Sequence, residues 1–254
     1  MLTSSRALIT GASAGIGAAC ARKLAAEGFE LALWARREER LDTLAAELSA
    51  ETGASVRTAA VDVRDRGQVE RSAAELSGDG WTPDILINNA GLASGLDFLH
   101  EGDVEDWDRM IDTNVKGLLF VTRQILPQMV ARGTGHVVNI GSTAGHTVYP
   151  RGNVYNATKF AVRALSQGMN LDVAGTGIRV SSVDPGMVET EFSEVRFAGD
   201  RERARDVYQG FQPLSADDVA DAVHFVVTRP PHVNAINLVL VPTAQRGGSV
   251  VDRT

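Results

Sequence analysis

The sequence predicts an α/β protein: a Rossmann-like, doubly wound parallel sheet of seven strands flanked by helices on both faces. Two observations lead to this prediction. Short runs of β-branched and aliphatic residues, mostly without period-two alternation, indicate strands that are buried on both faces. Amphipathic stretches separate these runs along the chain, and such alternation implies right-handed crossovers between parallel strands.

The apolar pattern justifies each element in turn. The predicted strands lie at residues 7–10, 31–34, 55–60, 85–88, 136–140, 178–183 and 235–241. The predicted helices lie at residues 16–27, 38–50, 68–76, 104–130, 155–174 and 216–228. The first helix illustrates the pattern, because Ile16, Cys20 and Leu24 are spaced by four residues and therefore share one face.

No repeat, low-complexity tract or long linker interrupts this alternation, which predicts one domain over residues 1–254. The least regular region covers residues 185–213 and contains several glycines and acidic residues. It is either a mobile flap over a site or an ordinary connection with a short helix or two.

The composition excludes several classes of protein. With 44% hydrophobic and 22% charged residues, the chain is typical of soluble globular proteins. The net charge of −7 and the absence of a basic stripe argue against a nucleic-acid partner. No apolar run approaches the roughly 18 residues that span a bilayer, so no membrane association is expected. The start of the chain lacks the apolar core of a signal peptide, and we therefore expect a cytoplasmic protein.

Metal and disulfide chemistry are also not expected. The single cysteine, Cys20, excludes an intramolecular disulfide and a cysteine-based zinc cluster, and its position indicates core packing. The five histidines are scattered without metal-ligand spacing. His146 is the one that lies near the site proposed below.

A glycine-rich turn lies between the first strand and the first helix. The segment Thr10-Gly-Ala-Ser-Ala-Gly-Ile-Gly17 places glycines where a chain must turn tightly and approach a pyrophosphate closely. The N–H groups and positive dipole end of the following helix favour the same anion. The spacing differs from the commonest dinucleotide fingerprint, so its position between strand and helix carries the argument.

The end of the second predicted strand indicates which dinucleotide binds. A protein that reads NAD needs a carboxylate there to accept bonds from the ribose 2′-hydroxyl. This chain has Arg36 and Arg37 instead, and guanidinium groups suit a 2′-phosphate by charge and geometry. NADP is therefore favoured over NAD.

A catalytic constellation is indicated by Ser142, Tyr155 and Lys159. Tyr155 and Lys159 are four residues apart in a predicted helix and so share one face. A nearby ammonium stabilises a phenolate and makes tyrosine a usable acid–base group near neutral pH. Ser142 follows the fifth predicted strand, at the sheet edge where open parallel sheets bind ligands.

These motifs resemble the short-chain dehydrogenase/reductase family over essentially the whole chain. The matching segments, in order, are the glycine-rich turn, Asn88-Asn89-Ala90-Gly91, Asn114, Ser142, Tyr155 with Lys159, and Pro185-Gly186. The resemblance implies an oxidoreductase acting on CH–OH groups, in which Tyr155 passes a proton, Lys159 lowers its pKa and holds the nicotinamide ribose, and Ser142 positions the substrate. Asn114 would help to hold a water that links Lys159 to solvent.

The resemblance also implies the residues that hold the cofactor. They are Gly11, Ser13, Ala14, Gly15, Ile16, Gly17, Arg36, Arg37, Asp62, Val63, Asn89, Ala90, Gly91, Tyr155, Lys159, Pro185, Gly186, Val188 and Thr190. Within this set, Asp62 and Val63 would contact adenine, and Val188 and Thr190 would fix the nicotinamide carboxamide. The family also implies a homotetramer in which the helices at 104–130 and 155–174 form one interface.

Inside the family the chain is similar to NADP-dependent 3-hydroxy acid dehydrogenases, which oxidise serine and allo-threonine and reduce malonic semialdehyde. The segments around Asn88, Trp107, Ser142 and Phe192 carry this likeness. Arg151 departs from the subgroup, where a small residue is expected. A carboxylate substrate needs a cation, and Arg196 is the first candidate, with Arg151 the second. The alternative for Arg196 is a structural pair with Glu191 or Glu194.

Two other functions stay open on the sequence. One is an NADPH-dependent reductase of a bulkier ketone or aldehyde, such as a 3-oxoacyl thioester. The other is a non-catalytic NADP-binding module, because a fold alone does not fix a function. The complete set of Asn114, Ser142, Tyr155 and Lys159 favours an enzyme over such a module.

Overall fold

The computed structural model describes residues 5–248 and 250–253 and contains one sheet of seven parallel strands. The strands are β1 (Arg6–Thr10), β2 (Glu30–Ala35), β3 (Val56–Ala60), β4 (Ile85–Asn88), β5 (Gly135–Ile140), β6 (Ile178–Pro185) and β7 (Asn237–Leu240). Their order across the sheet is β3-β2-β1-β4-β5-β6-β7. The predicted Rossmann-like sheet is thereby confirmed.

Helices cover both faces of the sheet. They are α1 (Gly15–Ala26), α2 (Glu38–Thr52), α3 (Arg66–Gly78), α4 (Val104–Ile111), α5 (Leu118–Arg132), α6 (Asn153–Asp172), α7 (Phe192–Arg196), α8 (Arg201–Asp206) and α9 (Ala216–Val227). A π-helical turn, Asp112–Gly117, joins α4 to α5, and a 3₁₀ turn, Thr143–Gly145, follows β5.

The central strands β1 and β4 are largely apolar because each face of the sheet has its own core. On β1, Ala7 and Ile9 pack into the core beneath α1, α2 and α9, whereas Leu8 packs into the core beneath α3, α5 and α6. All three side chains are fully buried. Successive side chains of a strand point to opposite faces, so a two-sided sheet needs a continuous apolar run. Complete burial of a leucine or isoleucine stabilises the fold by about 1.5–3 kcal/mol.

The helix predicted at 104–130 differs from the structure. It is interrupted by the π-helical turn, which carries Asn114 in the middle of the segment. At the end of this turn a Cβ on Gly117 would overlap the side chain of Val63, so glycine permits close approach to the loop after β3. Periodicity alone does not reveal such a turn, because one extra residue changes the apolar pattern very little.

The irregular region at 185–213 contains the two short helices α7 and α8. The side chain of Asp200 caps α8 by accepting a hydrogen bond from the Arg203 N–H. The expectation of a short helix or two describes the backbone correctly, and the mobility of this region stays a prediction. Residues 185–213 are called the β6–α9 connection below.

The topology fixes where a ligand site can form. Strand β1 lies between β2 and β4, so the chain direction across the sheet reverses at β1. The carboxyl ends of β1, β4, β5 and β6 meet at one edge beside this reversal. In open parallel sheets a crevice forms at that point, outside the strand ends.

Candidate active site

A cavity of about 530 Å³ opens at this edge of the sheet. It extends from Arg36 and Arg37 after β2 to Ser142, Tyr155 and Lys159. The β6–α9 connection forms its outer wall. All of the predicted site residues line this cavity except Gly17 and Asn114.

The glycine-rich turn has the geometry that its sequence predicts. Gly11 and Gly15 have φ values of +66° and +53°, a region that favours glycine. A Cβ on Gly17 would overlap the Asn89 side-chain nitrogen, so α1 can pack closely against the loop after β4. Helix α1 begins without a side-chain cap, which leaves its first N–H groups facing the cavity available to an anion.

The loop after β4 is bound to this turn by a set of hydrogen bonds. The hydroxyl of Thr10 accepts hydrogen bonds from the N–H groups of Asn89 and Ala90, at 3.1 and 3.0 Å. The Asn89 amide donates in return to the carbonyls of Thr10 and Gly11, at 2.9 and 3.2 Å. These four hydrogen bonds hold the loop after β4 against the glycine-rich turn.

Two arginines that follow β2, Arg37 and Arg40, form ion pairs with Glu191, which was not predicted as a site residue. Arg37 donates to Glu191 of the β6–α9 connection at 2.9 Å and to the Ser13 hydroxyl at 3.2 Å. Arg40 donates to the same carboxylate at 2.7 Å. Hydrogen bonds from Arg40 and Arg37 hold the pKa of Glu191 below its usual range. The connection is therefore tied to the rim of the cavity at the place where a 2′-phosphate would be read.

Asp62 and Val63 follow β3 and line the adjacent wall. The Asp62 carboxylate accepts two hydrogen bonds from the Arg64 Nε, both at 3.0 Å. Arg64 also lines the cavity and was not predicted. Its position two residues beyond Asp62 gave no periodic or motif signal.

The predicted catalytic side chains come together at the inner end of the cavity. The Lys159 ammonium lies 5.9 Å from the centre of the Tyr155 ring and donates to the Ile140 carbonyl at 2.9 Å. Ser142 interacts with the Tyr155 phenol and acts to lower its pKa. The Ser142 hydroxyl also accepts a bond from the Ala144 N–H at 3.1 Å, which orients it at the start of the 3₁₀ turn.

Burial and nearby charges perturb both titrating groups of this set. Burial raises the pKa of the Tyr155 phenol, and Tyr149 acts in the same direction, whereas Ser142 and Arg196 oppose the rise. Burial lowers the pKa of Lys159 to about 8, and the negative charge of Asp184 opposes that fall. A perturbed acid–base pair in a cleft is typical of a catalytic site.

Asn114 lies behind this set. Its side chain is bound to the backbone of Leu92 by reciprocal hydrogen bonds, both at 2.8 Å, and donates to the Thr158 hydroxyl at 3.0 Å. A Cβ on Gly91 would lie 3.3 Å from the Asn114 oxygen and 3.8 Å from the Lys159 nitrogen. Asn114 thus braces the loop that separates it from Lys159, and its predicted water remains a prediction.

Arg196 lies against Tyr155, the predicted proton carrier. Its Nε donates to the Gly95 carbonyl and its Nη1 to the Tyr149 hydroxyl, both at 3.1 Å. Its guanidinium carbon lies 5.8 Å from the centre of the Tyr155 ring. The alternative of a structural pair with Glu191 or Glu194 is wrong, because Glu191 binds Arg37 and Arg40 while Glu194 lies 3.6 Å from Arg201. Tyr149 was not predicted as a site residue.

Arg151 occupies the outer side of Tyr155. Its φ of 65° is unusual for a residue with a side chain. Its guanidinium stacks over the Phe98 ring at 4.4 Å, and the two arginines Arg151 and Arg196 line one shallow recess with Tyr155. The second candidate for an anion-binding cation therefore also adjoins the site.

The start of the β6–α9 connection completes the cavity. The Met187 N–H donates to the Gln245 side chain at 2.9 Å, and the Val188 carbonyl accepts from the Tyr208 hydroxyl at 2.8 Å. Thr190 lies against Gly15 of the glycine-rich turn. The predicted residues Pro185, Gly186, Val188 and Thr190 line this part of the wall.

The part of the chain that the structure describes offers neither a metal site nor a membrane span. Residues 5–248 and 250–253 contain no cluster of three or more histidine, cysteine, aspartate or glutamate side chains suited to a metal ion. None of the helices in these ranges is long and apolar enough to cross a bilayer.

Comparisons with known proteins agree with this geometry. The profile of the family described as short chain dehydrogenase matches residues 5–200. An NADP-dependent 3-hydroxy acid dehydrogenase of Salmonella typhi is 46% identical over 239 residues, covering 94% of this chain and 95% of that protein. A serine 3-dehydrogenase of Rhizobium radiobacter is 42% identical and covers 94% of both chains.

Solved structures give the same relationship. The closed form of a serine dehydrogenase complexed with NADP⁺ superimposes with a TM-score of 0.91 at 45% identity, covering 98% of this chain and 100% of that chain. The shared motifs, the sheet order and the high coverage leave one conclusion. The chain is an oxidoreductase that belongs to the short chain dehydrogenase family.

Proposed function

We propose that the protein transfers a hydride between NADP and the C3 hydroxyl or carbonyl of a small 3-hydroxy acid of the serine, allo-threonine or malonic semialdehyde type. The proposal takes its cofactor and substrate class from the similar dehydrogenases. The observation that carries it is Arg196, a cation that faces Tyr155 and has no carboxylate of the described residues within 4.0 Å.

The residues of the cavity fit a phosphorylated dinucleotide. The uncapped start of α1 and the glycine-rich turn suit the pyrophosphate, as does the close approach that Gly11 and Gly15 permit. Arg36 and Arg37 supply cations for a 2′-phosphate. When bound, NADP would supply or accept the hydride. The remaining chemistry belongs to the side chains of this chain.

Tyr155, Lys159 and Ser142 have separate roles in the proposed proton transfer. Tyr155 passes a proton to or from the substrate oxygen, and the Lys159 ammonium stabilises the phenolate that forms. Ser142 donates a hydrogen bond to the same substrate oxygen and so fixes its distance from Tyr155. Lys159 also contacts the nicotinamide ribose, and Asn114 holds the loop and a water behind it.

The substrate carboxylate binds to Arg196 in this proposal. A planar guanidinium donates two parallel hydrogen bonds to a carboxylate. The hydrogen bond that Arg196 donates to the Tyr149 hydroxyl holds the guanidinium in place. Since Arg196 belongs to α7, the contact also couples substrate binding to the β6–α9 connection, which acts as a mobile flap. All of these parts belong to one dinucleotide-binding and catalytic domain.

We further propose a cytoplasmic homotetramer. Two separate apolar surfaces support two kinds of two-fold interface. One lies on α4 to α6 and includes the exposed side chains of Leu119, Phe160 and Leu171. The other lies along α9 and β7 and includes Phe225 and Val239. Light scattering of the purified protein tests this assembly, and a monomer in solution would contradict it.

A cofactor-coupled substrate screen tests the function. NADPH oxidation is followed with malonic semialdehyde, 3-oxo acids, 3-oxoacyl thioesters and aldehydes, and NADP reduction with serine and allo-threonine. We expect the highest kcat/KM for the small acids and a preference for NADP over NAD. Preferential turnover of thioesters or uncharged aldehydes would favour the bulkier-substrate alternative. Cofactor binding without turnover of any class would favour a non-catalytic module.

A further inference from the structure

A buried carboxylate lies directly behind the catalytic set and has no part in the chemistry described so far. Asp184 is the penultimate residue of β6 and is 1% exposed. Its Oδ2 accepts a hydrogen bond from the Asn237 amide at 2.6 Å and lies 2.5 Å from the Nε2 of His146, while its Oδ1 accepts from the Ser182 hydroxyl. An isolated buried carboxylate is costly, so the surroundings must compensate its charge.

The carboxylate presses against the backbone that carries the active site. A Cβ on Gly141 would overlap the Asp184 carboxylate, so the glycine is required for this contact. Gly141 lies between Ile140, whose carbonyl binds the Lys159 ammonium, and Ser142. Asp184 therefore adjoins the three-residue backbone segment to which both catalytic side chains are attached or bound.

The ionisable groups around Asp184 come from two elements. From α6, the ammonium of the buried Lys159 interacts with the charge of Asp184. From the end of the 3₁₀ turn, the partly exposed His146 provides its Nε2. The partners from β6 and β7, Ser182 and Asn237, are uncharged. An ionised carboxylate only accepts hydrogen bonds, so beside a charged Asp184 the His146 Nε2 acts as the donor.

We propose that Asp184 is a positioning residue that keeps the Lys159 ammonium charged, acting across the backbone of residues 140–142 without touching substrate or cofactor. The inference rests on the proposed catalytic roles of Lys159 and Tyr155. Lys159 is buried, and burial favours its uncharged form. The negative charge of Asp184 behind the strand end offsets this tendency. Lys159 therefore stays protonated beside Tyr155 at the pH where the enzyme works.

The sign of the effect follows from the charges. Removal of the Asp184 charge takes away an interaction that favours the protonated amine, so the pKa of Lys159 falls below its value of about 8. At a given alkaline pH, fewer molecules then carry the ammonium that stabilises the Tyr155 phenolate. The alkaline limb of the activity profile therefore moves to lower pH.

The pKa of Lys159 can be measured directly because the chain has three lysines, Lys23, Lys116 and Lys159. With lysine labelled at the ε-carbon, NMR titration follows each side chain separately. Hydrogen bonds from Lys23 to Asp221 and from Lys116 to Asp112 raise the pKa values of those two lysines, which separates them from Lys159. A spectrum of Lys159→Met identifies the remaining resonance.

The test compares Asp184→Asn with Asn237→Ala. The first removes the charge, and the second removes one donor to the same carboxylate and keeps the charge. We expect the pKa of Lys159 to fall by about one unit, a tenfold change in proton affinity, in Asp184→Asn, and to stay within a few tenths of a unit in Asn237→Ala. The alkaline limb of kcat/KM should move by the same amount in the same variant.

A second pair of variants covers the case in which Asp184→Asn does not fold. His146→Arg places a permanent cation against the carboxylate, whereas His146→Gln keeps a donor without charge. The arginine variant should lower the pKa of Lys159, and the glutamine variant should leave it near the value of the unaltered protein. An unchanged pKa in folded Asp184→Asn, or in His146→Arg where the first variant is unfolded, would overturn the inference. Since the NMR titration needs no turnover, absence of any dehydrogenase activity would count against the proposed function alone.

Discussion

Replacement of Arg196 by methionine tests the proposed substrate class most directly. Methionine retains an unbranched side chain that can pack on the rings of Tyr149 and Tyr155, where the guanidinium carbon now lies at 5.6 and 5.8 Å. It removes the charge and the fork that would bind a carboxylate. A bidentate contact consists of two charge-assisted hydrogen bonds, and we take about 1.5–3 kcal/mol for their combined loss. That loss corresponds to a decrease in kcat/KM of roughly 10- to 150-fold.

The assay compares a 3-hydroxy acid with its methyl ester, because the two share a carbon skeleton and differ in charge. In Arg196→Met, KM for the acid should rise strongly and the kinetics of the ester should change little. Arg196→Lys keeps the charge but lacks the planar fork. Its KM for the acid should therefore lie between that of the unaltered protein and that of Arg196→Met. Arg203→Met is the matched control, since Arg203 stacks over the Phe197 ring at 4.3 Å in the same connection and does not line the cavity.

One structural consequence has to be separated from substrate binding. Loss of the guanidinium also removes the hydrogen bonds to the Gly95 carbonyl and the Tyr149 hydroxyl, which hold α7 against the loop after β4 and the segment before α6. If Arg196 acts through these contacts alone, the acid and the ester lose equal amounts of kcat/KM. Such an equal loss would refute the assignment of Arg196 to the carboxylate and remove the main support for a hydroxy acid.

Three further predictions concern the proton carrier and the cofactor. Tyr155→Phe retains the ring and removes the phenol, so kcat should fall by roughly 10²- to 10⁴-fold while NADPH affinity, measured by fluorescence titration, changes little; near-normal turnover would exclude the mechanism. Replacement of both Arg36 and Arg37 by glutamine should weaken NADP by about ten- to a hundredfold and NAD much less, and equal losses in the two dissociation constants would contradict their role. Glu191→Gln frees Arg37 from an exposed ion pair worth at most about 1 kcal/mol. The preference for NADP over NAD should therefore rise by up to about fivefold. An unchanged ratio of the two dissociation constants would show that Glu191 does not compete with the 2′-phosphate for Arg37.

The sheet could be predicted from the sequence because its central strands are buried on both faces. The predicted strand at 85–88 agrees with β4 at both ends, since all four side chains are buried and the run is entirely apolar up to Asn88. The strand predicted at 235–241 is longer than β7, which covers Asn237–Leu240. As an edge strand with alternating exposed residues, β7 carries a weaker apolar signal than a central strand.

The positions of the proposed catalytic residues were also predictable, for a topological reason. Ser142 follows β5 and the glycine-rich turn follows β1, so a parallel sheet places both at one edge whatever the details of the helices. To predict that Tyr155 and Lys159 lie together, their four-residue spacing in a helix was needed as well. The resemblance to a family implies roles for these residues, and the structure places all three side chains at one cavity.

The pairings between distant charged residues could not be predicted, because spacing along the chain carries no information about them. Glu191 is more than 150 positions from Arg37, and the sequence analysis considered it only as a partner of the nearby Arg196. The two arginines differ in what surrounds them in the fold. Arg37 and Arg40 are exposed at the rim and take the acid, whereas Arg196 is half-buried against aromatic rings and neutral acceptors.

This division of charge explains how one connection can serve two ligands. At one end of the connection Glu191 satisfies the arginines that would read the 2′-phosphate, and at the other end Arg196 keeps its positive charge available beside Tyr155. If the proposed roles hold, a phosphate at Arg37 would weaken the ion pair of Arg37 with Glu191. A carboxylate at Arg196 would then add a contact between the connection and the substrate, nearer to Tyr155. Binding of the second ligand would then hold the connection closed after the first has loosened its rim, and this order favours entry of the cofactor before the substrate.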